Sequence, residues 1–254
     1  MSPETSLADI LRRVVTNVVV LDQVDSTHLM AQRLIEQMDD EGLDLAPTII
    51  VANSQSKGVG RRQRKWTPAG RGLHLNWIRS GLDQTTVALL PMFAAASLRE
   101  TVESFGVQGA CIKWPNDILV NGAKIAGILV HARHSDSVWA TIGIGVNLAE
   151  APVIDTGLPA TAMANHLKKE NLDDLLAPIA LRFVENLHTA IDTPEKALDQ
   201  WRSHLVHKIG DNLSIRLASD LIESGRLLEV SKEGFLRIMT TEGERTITGG
   251  DIIE

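Results

Sequence analysis

Apolar positions along the chain come in short runs broken by polar, glycine-bearing stretches, and their period changes from one run to the next. Residues 6–13 have a helical spacing, and the valine-rich run 14–21 reads as a strand. Leu29, Met30, Leu34 and Met38 recur at helical intervals behind Ser26 and Thr27, which are good capping residues. Strands are predicted at 48–52, 73–78 and 137–148, and an Ala- and Leu-rich helix at 85–104. Two or three helices follow between 158 and 205, with Pro178 and Pro194 near their starts. Beyond residue 208 the pattern changes to short extended segments separated at even intervals by Ser224-Gly225, Glu233-Gly234, Glu242-Gly243 and Gly249-Gly250, the rhythm of a small barrel.

One stretch breaks these rules. KWPNDILVNGAKIAGILV (113–130) sets Lys-Trp-Pro-Asn-Asp directly before an apolar hairpin. Pro115 cannot donate to a ladder, and Asn121-Gly122 between apolar runs signals a two-residue turn. That turn pairs Val120 with Ala123 and Leu119 with Lys124, so Asp117 and Lys124 share a face across a diagonal of roughly 7–8 Å. The expectation is a gap too wide for a routine ion pair and suited to a small anionic ligand. Ordinary surface charge on a solvated hairpin is the bland reading, and the flanking Ile118, Leu119, Val120, Ile125, Ile128 and Leu129 weigh against it.

The chain has 254 residues, 44% of them hydrophobic, enough for one large domain or one with a smaller companion. Its net charge of -7 disfavours nucleic-acid binding as the main task. The single cysteine, Cys111, excludes an internal disulfide and suits a reducing compartment. Neither a basic leader with an apolar core nor an apolar run of membrane-spanning length is present, so the expectation is a cytoplasmic protein with no membrane partner.

Against that acidic background, residues 45–82 contain no carboxylate but carry Lys57, Arg61, Arg62, Arg64, Lys65, Arg71 and Arg79. Most of these lie in SKGVGRRQRKWTPAGRG (56–72), where Gly58, Gly60, Gly70 and Gly72 permit close backbone approach and Trp66 offers a stacking face. Charge runs are usually solvated surface. Here the glycines, the aromatic and the missing carboxylates favour a loop of 53–72 that binds an anion and stays loose until one arrives. There is no G-x-x-x-x-G-K-[ST], and Gly58-Val59-Gly60-Arg61-Arg62-Gln63 lacks the third glycine of a dinucleotide fingerprint. The pairs His131/His134 and His204/His207 have no ligand partner in pattern, so no metal site is expected. Cys111, in a strand-like stretch, reads as a packing residue.

Together, Asp25-Ser26-Thr27, QSKGVGRRQRKW (55–66), KWPND (113–117), KIAGIL (124–129) and Gly143-Ile144-Gly145-Val146-Asn147 resemble the biotin protein ligases in the family's own order. The resemblance implies an α+β fold: a catalytic domain over 1–206, with a mixed sheet backed by helices, and an SH3-like barrel over 207–254. It also implies a two-step reaction. ATP, accompanied by Mg2+, activates biotin to biotinyl-5′-AMP, and biotin then passes to a lysine of a biotin carboxyl carrier protein.

By the same resemblance Ser26, Thr27 and Gln55 bind the ureido ring, and Gly58, Val59, Gly60, Gly127, Gly143 and Gly145 surround the biotin. Arg61, Lys113 and Lys124 stabilise charge on carboxylate and phosphate, and Asp117 orients or deprotonates the incoming lysine. Arg62, Arg64, Trp66, Asn116 and Asn147 border the nucleotide. The family's G-R-G-R-x-G-R has Val59 and Gln63 at two positions here, and its D-S-T-N ends in His28, read as a substitution at a helix start. Lipoate ligases share the fold and chemistry, but their R-R-x-S-G-G-G stretch is absent. A pocket that kept binding and lost turnover is the other alternative. The 24 residues before Asp25 are too few for a winged helix-turn-helix, so a monofunctional enzyme without DNA binding is expected, with a homodimer left open.

Overall fold

The computed structural model describes residues 6–43, 45–66, 70–134, 138–153, 157–168 and 172–253. A seven-stranded sheet forms its centre. The strands are β1 (Asn17–Val24), β2 (Thr48–Gln55), β3 (Gly72–Ser80), β4 (Cys111–Lys113), β5 (Asp117–Val120), β6 (Ala123–His134) and β7 (Val138–Asn147), in the order β1-β2-β3-β7-β6-β5-β4. Only β1 and β2 run parallel, which requires a crossover, and α2 (Thr27–Glu41) supplies it. Every other neighbouring pair is antiparallel.

Helices cover both faces of the sheet, so its central strands are apolar on both sides. On one face, α1 (Leu7–Leu11), α3 (Gln84–Ser104), α4 (Leu176–Asp192) and α5 (Pro194–Ser203) bury Leu73, Leu75 and Trp77 of β3 against Phe93, Phe183 and Trp201. On the other face, α2 packs Ala31 and Ile35 on Ile50, Ile78 and Trp139. Trp139 Nε1 donates to Asp39 at 2.9 Å and Arg133 pairs with the same carboxylate at 3.2 Å, tying the far end of α2 to the sheet. The rest of that face, beyond the first turn of α2, stays open as a cavity.

A second unit follows α5. Strands β8 (Asn212–Arg216), β9 (Ile222–Val230), β10 (Leu236–Thr240), β11 (Gly243–Ile247) and β12 (Asp251–Ile253) form a five-stranded antiparallel sheet in the order β11-β10-β9-β8-β12. Leu213, Ile215, Leu227, Leu236, Ile238 and Ile252 form its inner face. It is fastened to the large sheet by Trp114, whose Nε1 donates to the Gly234 carbonyl at 2.9 Å.

Three expectations need correcting. The first strand runs 17–24 rather than 14–21, because it follows the register of its parallel partner β2. That partner extends to Gln55, beyond the apolar run that marks it in sequence. The described part of 53–72, residues 53–66 and 70–72, is therefore not a structureless loop. Its first residues are strand, residues 61–63 form a 3-10 turn, and Val59 bridges Lys65 across a tight hairpin.

The predicted turn is present, with Asn121 at φ 51° and Gly122 at φ 77°. Val120 faces Ala123 and Leu119 faces Lys124, but a bulge beyond Leu119 then shifts the register, so that Ile118 faces Ala126. Nothing lies within 4 Å of where a Cβ would stand at Gly122. Gly122→Ala is thus expected to cost only the left-handed backbone penalty of about 1 kcal/mol. Urea denaturation of the two proteins measures this directly.

Candidate active site

The open part of the sheet face encloses a cavity of about 210 Å3. At one end β1 and β2 finish side by side, and the chain turns from Val24 into α2. Ser26 caps that helix, its Oγ accepting the His28 N–H at 3.2 Å. The Gln55 side-chain oxygen accepts both the Thr27 N–H (2.7 Å) and the Thr27 hydroxyl (3.2 Å). That leaves the Gln55 amide NH2 as the donor available to a ligand. Asp25 does not line the cavity but holds its corner, since it accepts the Ser26 N–H and a fork of two bonds from Arg33 at 2.7 and 2.9 Å. The Arg33 hydrogen bonds are the main reason its carboxyl is lowered to about 2.

The middle of the cavity is bare backbone. Gly143 and Gly145 of β7 and Gly127 of β6 present no side chain, and the indole of Trp66 rests on Gly145 and Gly127. A Cβ at 145 would stand 2.6 Å from that ring and clash with it, whereas one at 127, 3.2 Å from the ring and 3.1 Å from the Lys124 stem, would be tight.

At the other end Lys124 Nζ lies 2.7 Å from Asp117 Oδ1 and 5.5 Å from the Trp66 ring centre. The ion pair corrects the expectation of an unbridged gap. The diagonal separates backbone atoms, and the four-carbon stem of lysine spans it. The backbone of Lys124 is held on both sides: its N–H donates to Pro159 and its carbonyl accepts from Thr161. Nothing in the sequence of 159–161 advertised this clamp.

Above the ion pair sits the basic hairpin, folded onto the five-stranded unit. Asp251 receives Arg61 at 3.2 Å, Arg62 at 3.5 Å and Arg64 at 2.8 Å. Arg61 also donates to Asn116 Oδ1 and to the Gly250 carbonyl, and Arg62 to the Arg216 carbonyl. Burial lowers the pKa of the Arg61 guanidinium, and Asp251 beside it works the other way.

Of the residues singled out in sequence, Ser26, Thr27, Gln55, Val59, Gly60, Arg61, Arg64, Trp66, Asn116, Asp117, Lys124, Gly127, Gly143 and Gly145 meet in this one lining. Four others stand outside it. Gly58 lies behind the hairpin, where its carbonyl accepts the Trp66 N–H. Arg62 is turned away by its positive φ of 54° toward Asp251 and Arg216. Lys113 is opposite Asp117 in the ladder, hence on the same face but one strand further out. Asn147, buried, donates to the Thr161 carbonyl at 3.0 Å and braces the Lys124 clamp from behind.

His28, Ile128, Leu129 and Ile144 line the cavity without having been given a site role, and so does Lys65, named in sequence only among the charges of the basic stretch. His28 lies edge-on to His131, with ring centres 5.9 Å apart, and burial lowers its pKa to about 4. Burial does the same to His74 of β3, two residues from the buried Asn76. Among the described residues no cluster of three or more His, Cys, Asp or Glu could hold a metal ion. Cys111 is half-buried, and burial raises its thiol pKa. No helix among the described residues is long and apolar enough to cross a membrane.

Residues 21–147 match the model of the biotin/lipoate A/B protein ligase family. The chain is 32% identical over 244 residues to the bifunctional ligase/repressor BirA of Bacillus subtilis, covering 91% of this chain and 72% of that one. It is 36% identical over 167 residues to a biotin–[acetyl-CoA-carboxylase] ligase of Paracoccus denitrificans, covering 59% and 70%. In fold it is similar to the biotin protein ligase of Aquifex aeolicus solved with biotin and ATP: TM-score 0.71, 24% identity, 94% and 98% of the two chains covered. The chain belongs to the biotin/lipoate A/B protein ligase family. Both named relatives are ligases, and that of Paracoccus denitrificans is a ligase of biotin.

The two buried histidines set a pH dependence. Their folded pKa lies near 4, below the usual 6.5, so between those values the unfolded chain binds protons that the folded one refuses. Stability is therefore expected to be full above pH 6.5 and to fall as the pH drops toward 4. Each histidine contributes at most about 1.4 kcal/mol per pH unit. His28→Asn should remove part of that slope, the remainder coming from His74 and from His188, whose pKa burial also lowers; denaturant midpoints at pH 7, 6 and 5 measure it.

Proposed function

We infer that this chain is a biotin–protein ligase: it activates biotin with ATP to biotinyl-5′-AMP and transfers biotin to a lysine of a biotin carboxyl carrier protein. The observation that carries the reading is the Lys124–Asp117 pair, set in one cavity with a hydrogen-bonding corner at one end and a basic hairpin at the other. Ser26, Thr27 and Gln55 supply donors and acceptors at a short spacing, as a cyclic urea requires. The side chain of biotin then runs from that corner toward Lys124, beside the Trp66 ring that rests on Gly127 and Gly145.

In the first step a biotin carboxylate oxygen attacks the α-phosphorus of ATP, and the bond to pyrophosphate breaks. Negative charge gathers on the phosphoryl oxygens, so fixed cations aimed at them lower the barrier. Arg61, Arg64, Lys65 and Lys124 line the cavity for this role, and Lys113 supports them from the next strand. Mg2+ enters with ATP as part of the substrate, held by phosphates; the one cavity carboxylate, Asp117, is already engaged by Lys124. Trp66 offers its ring face to the adenylate, with Asn147 and Arg62 acting from behind the lining.

In the second step a neutral lysine amine attacks the acyl carbon. A C–N bond forms, the bond from acyl carbon to phosphate oxygen breaks, and AMP leaves. Lysine is protonated at neutral pH, with a pKa of about 10.4, and Asp117 is placed to orient it and accept its proton.

The five-stranded unit is read as an SH3-like barrel occupying 207–254, whose Asp251 seats the basic hairpin of the catalytic domain. The reading assigns no DNA partner, in keeping with a net charge of -7. It places the reaction in the cytoplasm, in keeping with a single half-buried thiol.

Lys124→Ala is expected to slow adenylate formation by at least a hundredfold, about 3 kcal/mol, without unfolding the protein. Biotin-dependent exchange of labelled pyrophosphate into ATP measures it, and exchange near the wild-type rate would refute the role. Arg61→Gly should release biotinyl-adenylate roughly ten- to a hundredfold faster, while free biotin, which has no phosphate, is held nearly as well. Dissociation rates of the two ligands give the comparison.

A further inference from the structure

A second cavity, of about 220 Å3, lies between the two units. Its walls come from Ala88, Pro91 and Met92 of α3, from the 114–116 turn, and from Glu233 and Phe235 at the β9–β10 turn. It shares Arg61, Asn116 and Ile128 with the reaction cavity, and these three are linked by hydrogen bonds, Arg61 to Asn116 at 3.2 Å and Asn116 to the Ile128 carbonyl at 2.8 Å, where the two spaces adjoin. Ala88 and Glu233 are exposed and mark its outer end, whereas Ile128 at the inner end is 3% exposed.

The lining narrows the occupant. Met92, Pro91 and Val130 fit an aliphatic stem, while Trp114, Trp201, Phe235 and the Glu233 carboxylate fit a cationic head. The indole N–H of Trp201 has no protein partner and remains in this wall as a donor. The one cation in the lining, Arg61, stands at the inner end, where it is paired with Asp251 at 3.2 Å.

We propose that this second cavity is the passage through which the acceptor lysine reaches the adenylate, its stem in the apolar bore and its ammonium guided past Glu233. The proposal rests on the ligase reading above. It gives the carrier protein a docking position over the seam between the two units, and it separates the lysine's route from that of biotin and ATP.

The test is to narrow the outer end without touching the reaction cavity. Ala88→Trp fills the mouth from an exposed helical position, and Glu233→Lys reverses its charge from an exposed turn. Three rates are compared with wild type: pyrophosphate–ATP exchange, transfer of biotin to a purified carrier domain, and aminolysis of preformed adenylate by n-butylamine and by hydroxylamine.

Both variants should keep exchange and hydroxylamine cleavage within about twofold, and lose at least tenfold in transfer. Misplacing a nucleophile by an ångström costs on the order of a hundredfold. Butylamine should be slowed by Ala88→Trp while hydroxylamine, too small to need the bore, is not. Transfer at the wild-type rate in both variants overturns the proposal. Loss of exchange in step with transfer also overturns it, because the cavity would then serve ATP. A wild-type protein with no exchange at all would instead defeat the ligase reading itself.

Discussion

Crowding of positive charge around one cavity is the constraint on which the rest depends. Arg61, Arg64, Lys65 and Lys124 line a single space, and Arg62 stands just behind it. Like charges so gathered repel one another, and, besides burial, Arg62 and Arg64 both work to lower the pKa of Arg61. The fold answers with two carboxylates. Asp117 takes Lys124, and Asp251 takes the three arginines. Since Asp251 belongs to the five-stranded unit, the second sheet is joined to the first by the electrostatics of the site as well as by the Trp114–Gly234 hydrogen bond.

The same economy explains the division of labour across the large sheet. One face is covered by four helices. The other carries only α2, and the first turn of that helix is a wall of the cavity. Backbone groups freed at the helix start are met by Ser26 and Gln55, and those same groups are the hydrogen-bonding corner. The glycines of β6 and β7 leave a flat floor on which an aromatic ring or a ligand can lie, and the hairpin brings a cation and an anion to its end.

Much of this was legible along the chain because the signals are local. Asn121-Gly122 specifies its turn through backbone sterics, and Ser26 specifies its cap through one hydrogen bond. The acid-free basic stretch marks an anion site by composition alone. Conversely, the roles suggested for Gly58, Arg62, Lys113 and Asn147 rested on motif membership, and three-dimensional packing puts these four behind or beside the cavity.

What the sequence determined by itself was therefore the alternation of elements, the capped helix and tight hairpin, the sign of the charged stretch, and the group of proteins it resembles. Each depends on residues close together in the chain. Only the tertiary structure decided the partners. A bulge and a lysine stem closed the gap between residues 117 and 124. The 159–161 segment clamped the lysine from far along the chain, and a carboxylate 190 residues from Arg61 became its counter-ion. Burial made His28 part of the site and lowered its pKa. Long-range pairing and desolvation are properties of the packed molecule, and no local pattern encodes them.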